Sequence, residues 1–288
     1  MKDLKIIFFG TPEFVLPVLK TLEENFSLVG IVTAPDRKVG RKQILTPSPI
    51  KAFTSSARRP RVALQGDALI LTPDKLDDKV TQSLQNLSPD LFVVAAYGKI
   101  IPKEILDVPK YGALNIHPSL LPKERGASPI QSVILKGEII SGLTIMKMDE
   151  KMDHGPIIYT SKFSLSDQDT FATLSKFMFE EVAAILPKII EDFVAGKIKP
   201  KPQNHKLATF NKLVKKENGY FEISNPPSPE MLDRIIRAYY PWPTAWTNWH
   251  GKIIKFLPGG MIQMEGKKPV KLADFLRGYP DFPLKKLL

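Results

Sequence analysis

Leu91-Phe92-Val93-Val94-Ala95 is apolar at every position. Successive side chains of a strand point to opposite faces, so a half-wet strand alternates apolar with polar residues. An unbroken apolar run fits a strand buried on both faces, the pattern of a parallel sheet covered by helices. Outward from it, similar runs recur at Lys5-Ile6-Ile7-Phe8-Phe9 before Gly10-Thr11-Pro12, at Leu28 to Thr33, at Ala68 to Leu71 and at Ala113 to His117. Helical stretches alternate with them, from about Glu13 to Glu24 and from Lys75 to Leu87. Pro17 fits the first of these helices only near its first turn. Strands alternating with helices in this way predict an α/β fold around a parallel sheet. Gly142 to Met148 and Gly155 to Phe163 flank a turn at Glu150–His154 and read as later, antiparallel strands. A helix from Gln168 to Val194 closes the domain, with Phe171, Leu174, Phe177, Met178, Val182, Ile185, Leu186 and Ile189 as its buried stripe and Pro187 as a kink.

Gly196-Lys197-Ile198-Lys199-Pro200-Lys201-Pro202 is spaced by prolines and rich in lysine, as linkers are. It divides the chain into a first domain over 1–195, a basic linker over 196–206 and a second domain over 207–288. In the second domain short β-rich runs follow one another: Tyr220 to Ile223, Ala245 to Trp249, Lys252 to Leu257, Met261 to Met264 and Val270 to Leu272. Pro229 to Tyr239 between them reads as a helix, and the whole suits a small barrel.

With 288 residues and 43% hydrophobic content the chain has ample material for such cores. No apolar run approaches the roughly 20 residues that span a bilayer, and Met1-Lys2-Asp3-Leu4-Lys5 enters a strand without the layout of a signal peptide. There is no cysteine. Disulfides, thiolate chemistry and cysteine-ligated metals are therefore excluded, and a reducing, cytoplasmic setting fits. The net charge of +11 is lopsided: residues 1–195 carry 24 basic and 23 acidic side chains, residues 196–288 carry 17 and 7. A near-neutral first domain joined to a strongly basic second one suits a polyanionic partner, although a basic, soluble tail would look the same.

Asn115 and His117 share one face of a strand, with Ile116 between them on the other. They stand at the C-terminal end, where open α/β sheets keep their chemistry. An amide donor and an imidazole there, with Asp153 from a glycine turn, suit an acyl-type transfer through a tetrahedral intermediate. The competing readings are a hydrogen-bonded core histidine and an ordinary turn aspartate. Pro118-Ser119-Leu120-Leu121-Pro122 forms a rigid wall beside the imidazole. Gly10-Thr11-Pro12-Glu13-Phe14 lacks the glycines of a dinucleotide loop and the lysine of a P-loop, and reads as a structural turn. His154, His205 and His250 have no metal-ligand spacing, so no metal is expected. Arg37, Lys38, Arg41 and Lys42 lie on a loop after the second strand, able to wrap a phosphate backbone or to remain merely solvated. Tyr239-Tyr240-Pro241-Trp242-Pro243 could stack on a base or plug a helix end.

Taken together, Ile7-Phe8-Phe9-Gly10-Thr11-Pro12-Glu13-Phe14, Pro35-Asp36-Arg37, Asn115-Ile116-His117-Pro118-Ser119-Leu120-Leu121-Pro122, Arg125-Gly126, Met152-Asp153 with Gly155-Pro156-Ile157, Ala208-Thr209-Phe210 and Pro241-Trp242-Pro243 resemble the folate-dependent formyltransferases. The basic loop and the Pro-Trp-Pro element point to the members that act on tRNA. Glu124 departs from the family, which usually has an aromatic before Arg-Gly. The resemblance implies a Rossmann-like formyltransferase domain plus a small β-barrel resembling an OB fold. It implies Asn115, His117 and Asp153 as the catalytic set, and Ser119, Leu120, Leu121 and Pro122 as the folate-binding segment. Arg41 falls in the stretch that, in the family, reaches the tRNA acceptor stem. The formyl donor would be 10-formyltetrahydrofolate, and the acceptor the free α-amine of methionine on initiator tRNA. No metal, DNA or membrane enters this expectation, and the enzyme is expected to act as a monomer. Two alternatives stand beside it: formylation of a small amine such as a nucleotide-linked amino sugar or purine precursor, and a non-catalytic RNA-binding protein on the same scaffold.

Overall fold

The computed structural model describes residues 2–40, 42–55 and 68–284. Contacts group the chain into two compact units, one of Met1–Arg125, Gly142–Lys162 and Lys176–Thr209, the other of Gly126–Ser141, Phe163–Ser175 and Phe210–Leu288.

The first unit is built on a seven-stranded sheet. Across it the order is Ile157–Ser164, Ile140–Lys147, Ala113–His117, Leu91–Ala95, Lys5–Gly10, Ser27–Val32 and Leu69–Leu71. The five strands from Ala113–His117 to Leu69–Leu71 run parallel, and Ile140–Lys147 is antiparallel to Ala113–His117. All of Leu91–Ala95 is buried, as an apolar run between two helical layers requires. The chain passes from Lys5–Gly10 outward to Ser27–Val32 and Leu69–Leu71, then returns to Leu91–Ala95 on the other side. That reversal opens a crevice at the C-terminal ends of the two central strands, the usual ligand position in such sheets. Thr11 Oγ1 donates to the Tyr97 carbonyl (3.2 Å) across this crevice.

Local chemistry sets the helix boundaries. Glu13–Val15 is a single 3-10 turn before the helix Leu16–Asn25, which leaves Pro17 in the first turn, where no N–H is needed. Asp77 caps the helix Asp78–Asn86 by accepting from the Val80 N–H (3.1 Å), so this helix starts three residues later than its apolar pattern suggests. In the long helix Phe171–Val194 the expected stripe is corrected at one position: Phe177 is 44% exposed, and Phe179 is fully buried. Phe179 packs against Phe14, ring centroids 5.1 Å apart and tilted by 44°.

The second unit holds a four-stranded antiparallel sheet, Ala245–Trp249, Lys252–Leu257, Met261–Met264 and Val270–Lys271, in sequence order. Against it pack Leu232 and Ile236 of the helix Pro229–Ala238 and Phe275 of the helix Leu272–Gly278, with Trp249, Phe256 and Phe282 completing an aromatic core. Trp249 and Phe282 meet edge-on, centroids 5.1 Å apart at 90°. The expected strand at Tyr220–Ile223 is reduced to one bridge, Tyr220 to Trp246. A 3-10 turn over Lys216–Gly219 precedes it, and Pro226 and Pro227, which lack N–H donors, follow. Among the described residues no helix is long and apolar enough to cross a membrane.

Candidate active site

Asn115 and His117 end the fifth parallel strand of the sheet, and the turn after Ile140–Lys147 brings Asp153 onto their shared face. The close packing of that turn depends on Gly155. A Cβ there would lie 1.9 Å from the Lys147 carbonyl oxygen, so only glycine lets the two segments approach. Asp153 itself adopts the left-handed conformation (φ +48°), which aspartate tolerates better than most residues.

The three side chains converge on one atom. Asn115 Nδ2 donates to Asp153 Oδ1 at 3.3 Å, and His117 Nδ1 lies 3.5 Å from the same oxygen. The His117 and Asp153 side chains are 5% and 12% exposed, so bulk water screens this contact only weakly. On the far side of the ring, His117 Nε2 is 2.9 Å from the Glu124 carbonyl. A carbonyl oxygen can only accept, so Nε2 carries a proton. Each ring nitrogen therefore faces an acceptor, an arrangement that a doubly protonated imidazole satisfies completely. Glu124 is held by backbone in the left-handed region (φ +59°), and its N–H donates to Thr209 Oγ1 (2.9 Å).

The Ser119–Pro122 segment forms a wall beside this set. Its polar groups are tied into the turn: Ser119 Oγ donates to the Lys123 carbonyl (2.7 Å), Thr144 Oγ1 donates to the Ser119 carbonyl (2.7 Å), and the Leu121 N–H donates to Thr144 Oγ1 (3.2 Å). Thr144, fully buried, escaped the sequence reading because only the pairing of its strand with His117 brings it here. Leu120 packs over Gly142, where a Cβ would stand 2.2 Å from Leu120 Cδ2. What this segment offers outward is the apolar surface of the half-buried Leu120 and Pro122.

Arg37 and Lys38 lie on a short antiparallel hairpin, Arg37–Val39 with Ile44–Thr46, instead of an irregular loop. The Gln43 N–H and its side-chain Nε2 both donate to the Gly40 carbonyl, at 3.2 and 2.9 Å, and close the turn. Lys42 is exposed at that turn, and Arg41 lies outside the described residues. The hairpin follows the C-terminal end of Ser27–Val32, so topology sets it on the same rim of the parallel sheet as His117. Val39, Ile44 and Leu45 are each more than half exposed on it.

The aromatic cluster of the second unit splits by exposure. Tyr239 is buried, while Tyr240 and Trp242 are 37% and 57% exposed. His250 is stacked on Trp249 (4.2 Å), whereas His154 and His205 stack face to face, 4.0 Å apart and 4° from parallel. Among the described residues no three His, Asp or Glu side chains are grouped as metal ligands.

An imidazole, an amide and a carboxylate thus meet at the rim of a Rossmann-like sheet, and residues 4–190 match the family model for formyl transferases, a class of group-transfer enzyme. The chain belongs to the formyl transferase family. It is 36% identical to the methionyl-tRNA formyltransferase of Halalkalibacterium halodurans, with 96% of this chain and 95% of that protein covered. The fold is shared with the methionyl-tRNA formyltransferase of Clostridium thermocellum (TM-score 0.61, 19% identity, 93% and 99% covered). It is shared also with a sugar N-formyltransferase of a Shewanella species (TM-score 0.66, 16% identity, 89% and 97% covered).

Proposed function

We propose that the protein transfers the formyl group of 10-formyltetrahydrofolate to the α-amine of methionyl initiator tRNA. The observation that carries this reading is the near full-length relationship to a methionyl-tRNA formyltransferase in a chain that brings Asn115, His117 and Asp153 together. In the reaction the neutral amine adds to the formyl carbon, forming a C–N bond and a tetrahedral alkoxide. Asn115 has two amide hydrogens, and the one not directed at Asp153 donates to the alkoxide. His117, protonated on both nitrogens, supplies positive charge beside it. Asp153 keeps that charge in place and accepts the proton released by the attacking nitrogen, directly or through water. The alkoxide then collapses and the bond from carbon to N10 breaks as N10 takes up the proton that Asp153 accepted, which restores the carboxylate. No metal takes part.

The apolar wall of Ser119, Leu120, Leu121 and Pro122 bounds the folate in this reading. Arg37, Lys38, Arg41 and Lys42 contact the tRNA backbone near its acceptor end. Residues 207–288 serve as the tRNA-binding domain, with the antiparallel sheet from Ala245 to Lys271 as part of a small barrel resembling an OB fold. The charge of that region supports this role. Acceptor choice is the test: charged initiator tRNA should be formylated far faster than a nucleotide-linked amino sugar or a glycinamide-type amine. Preference for either small amine would reverse the assignment.

A further inference from the structure

The turn that carries Asp153 is held from outside the catalytic set. Lys201 pairs with Ile157 through two main-chain hydrogen bonds, both 2.8 Å, and so lays the following segment along the start of strand Ile157–Ser164. This delivers Gln203 to the turn. Gln203 Nε2 donates to the carbonyls of Asp153 (2.9 Å) and Gly155 (2.7 Å), and its Oε1 accepts from Arg125 Nη2 (2.6 Å). The guanidinium can only donate and the two carbonyls can only accept, so the orientation of the amide is fixed by its neighbours. Gln203 and Arg125 are 6% and 4% exposed. A buried amide bonded at both its nitrogen and its oxygen, as that of Gln203 is, rigidifies what it joins.

We propose that Gln203, oriented by Arg125, is a positioning residue that holds Asp153 at the distance from His117 and Asn115 that formyl transfer uses. Gln203 grips the main chain of Asp153 itself, at a residue whose left-handed backbone must be kept in place by its surroundings. Arg125 is steadied in turn. Its Nη2 also donates to His205 Nδ1 (2.9 Å), and His205 stacks on His154, whose Nδ1 donates to Asp149 Oδ2 (2.6 Å). Desolvation lowers the His205 pKa from its ordinary value, with smaller contributions from His154 and Arg125, which favours the neutral ring whose Nδ1 lone pair accepts from Arg125. The loop carrying Asp153 is thus tied at Asp149, His154 and Gly155 as well as at Asp153.

The inference rests on the proposed function for its catalytic meaning, and its test has one arm free of it. Gln203→Leu and Gln203→Met remove both donated hydrogen bonds at similar volume, the second with more freedom to repack. Nitrogen NMR of the His117 ring in the folded variants, without substrate, should show the Nδ1 signal moved and the Nε2 signal, bonded to Glu124, largely retained. In turnover the variants should lose about 10²-fold in kcat, the scale of a small misplacement of a reacting group, with KM for donor and acceptor changed much less. A folded variant with both His117 nitrogen signals and kcat unchanged would overturn the proposal. Absence of formyl transfer by the wild type would defeat the functional reading alone, and the Nδ1 signal would still decide whether Gln203 positions Asp153.

Discussion

His117 sits between two acceptors, the Glu124 carbonyl and the Asp153 carboxylate, and neither can supply it with a proton. This arrangement prepares positive charge at the point where the proposed reaction generates a negative one. Truncating the ring should remove that charge while leaving the apolar strand around it intact, since Leu114 and Ile116 carry the local packing. His117→Ala is therefore expected to keep a native circular dichroism spectrum and to lose about 10²–10⁴-fold in kcat, the usual contribution of a positioned acid or base. KM for 10-formyltetrahydrofolate should change little, because the wall at Ser119–Pro122 does not depend on the imidazole for its hydrogen bonds. Steady-state kinetics on the folded variant checks this, and near-normal kcat would remove His117 from the mechanism.

At the scale of elements, the turn between Ile140–Lys147 and Ile157–Ser164 converts a sheet edge into a site. Gly155 makes the turn tight enough for Asp153 to reach the neighbouring strand. Gly155→Ala forces a methyl group against the Lys147 carbonyl, a backbone atom that cannot swing aside. It should cost about 1–3 kcal/mol of stability, as overpacking does, and lower kcat by displacing Asp153. Urea denaturation and kinetics together measure both effects, and an unchanged midpoint with unchanged kcat would show that the turn is slack. The sheet was legible in the sequence because unbroken apolar runs are a local signal, and the meeting of Asn115, His117 and Asp153 because residues two apart on a strand share a face and a glycine marks the turn. Gln203 and Arg125 were not, since they are 78 residues apart and Gln203 lies in a stretch whose prolines and lysines read as linker. Phe177 and Phe179 were confused because both are apolar and only the phase of the helix against Phe14 separates them. The hairpin at Arg37–Thr46 looked irregular because all six of its strand residues are exposed, which erases the alternation that marks a half-buried strand.

Over the whole molecule the charge is divided as a tRNA-modifying enzyme would need it, with the excess in residues 196–288. If those lysines and arginines meet phosphates, tRNA affinity must fall steeply with salt, because each contact releases condensed counterions. Removing one contacting lysine should reduce the slope of log affinity against log salt by roughly 0.7–0.9. Filter binding across a salt series reads this slope, and a salt-independent affinity would return the basic region to a solubility role.

The most direct test of the central claim follows the formyl group itself. Enzyme in excess would be mixed with methionyl initiator tRNA and 10-formyltetrahydrofolate labelled in the formyl carbon, beside a parallel sample offered a nucleotide-linked amino sugar. In a single turnover the label should move to the methionine α-amine, as an amide that survives release of the ester from tRNA, and the amino sugar should stay nearly unlabelled. Label remaining on the folate in the tRNA sample, or appearing only on the amino sugar, would contradict the proposed function.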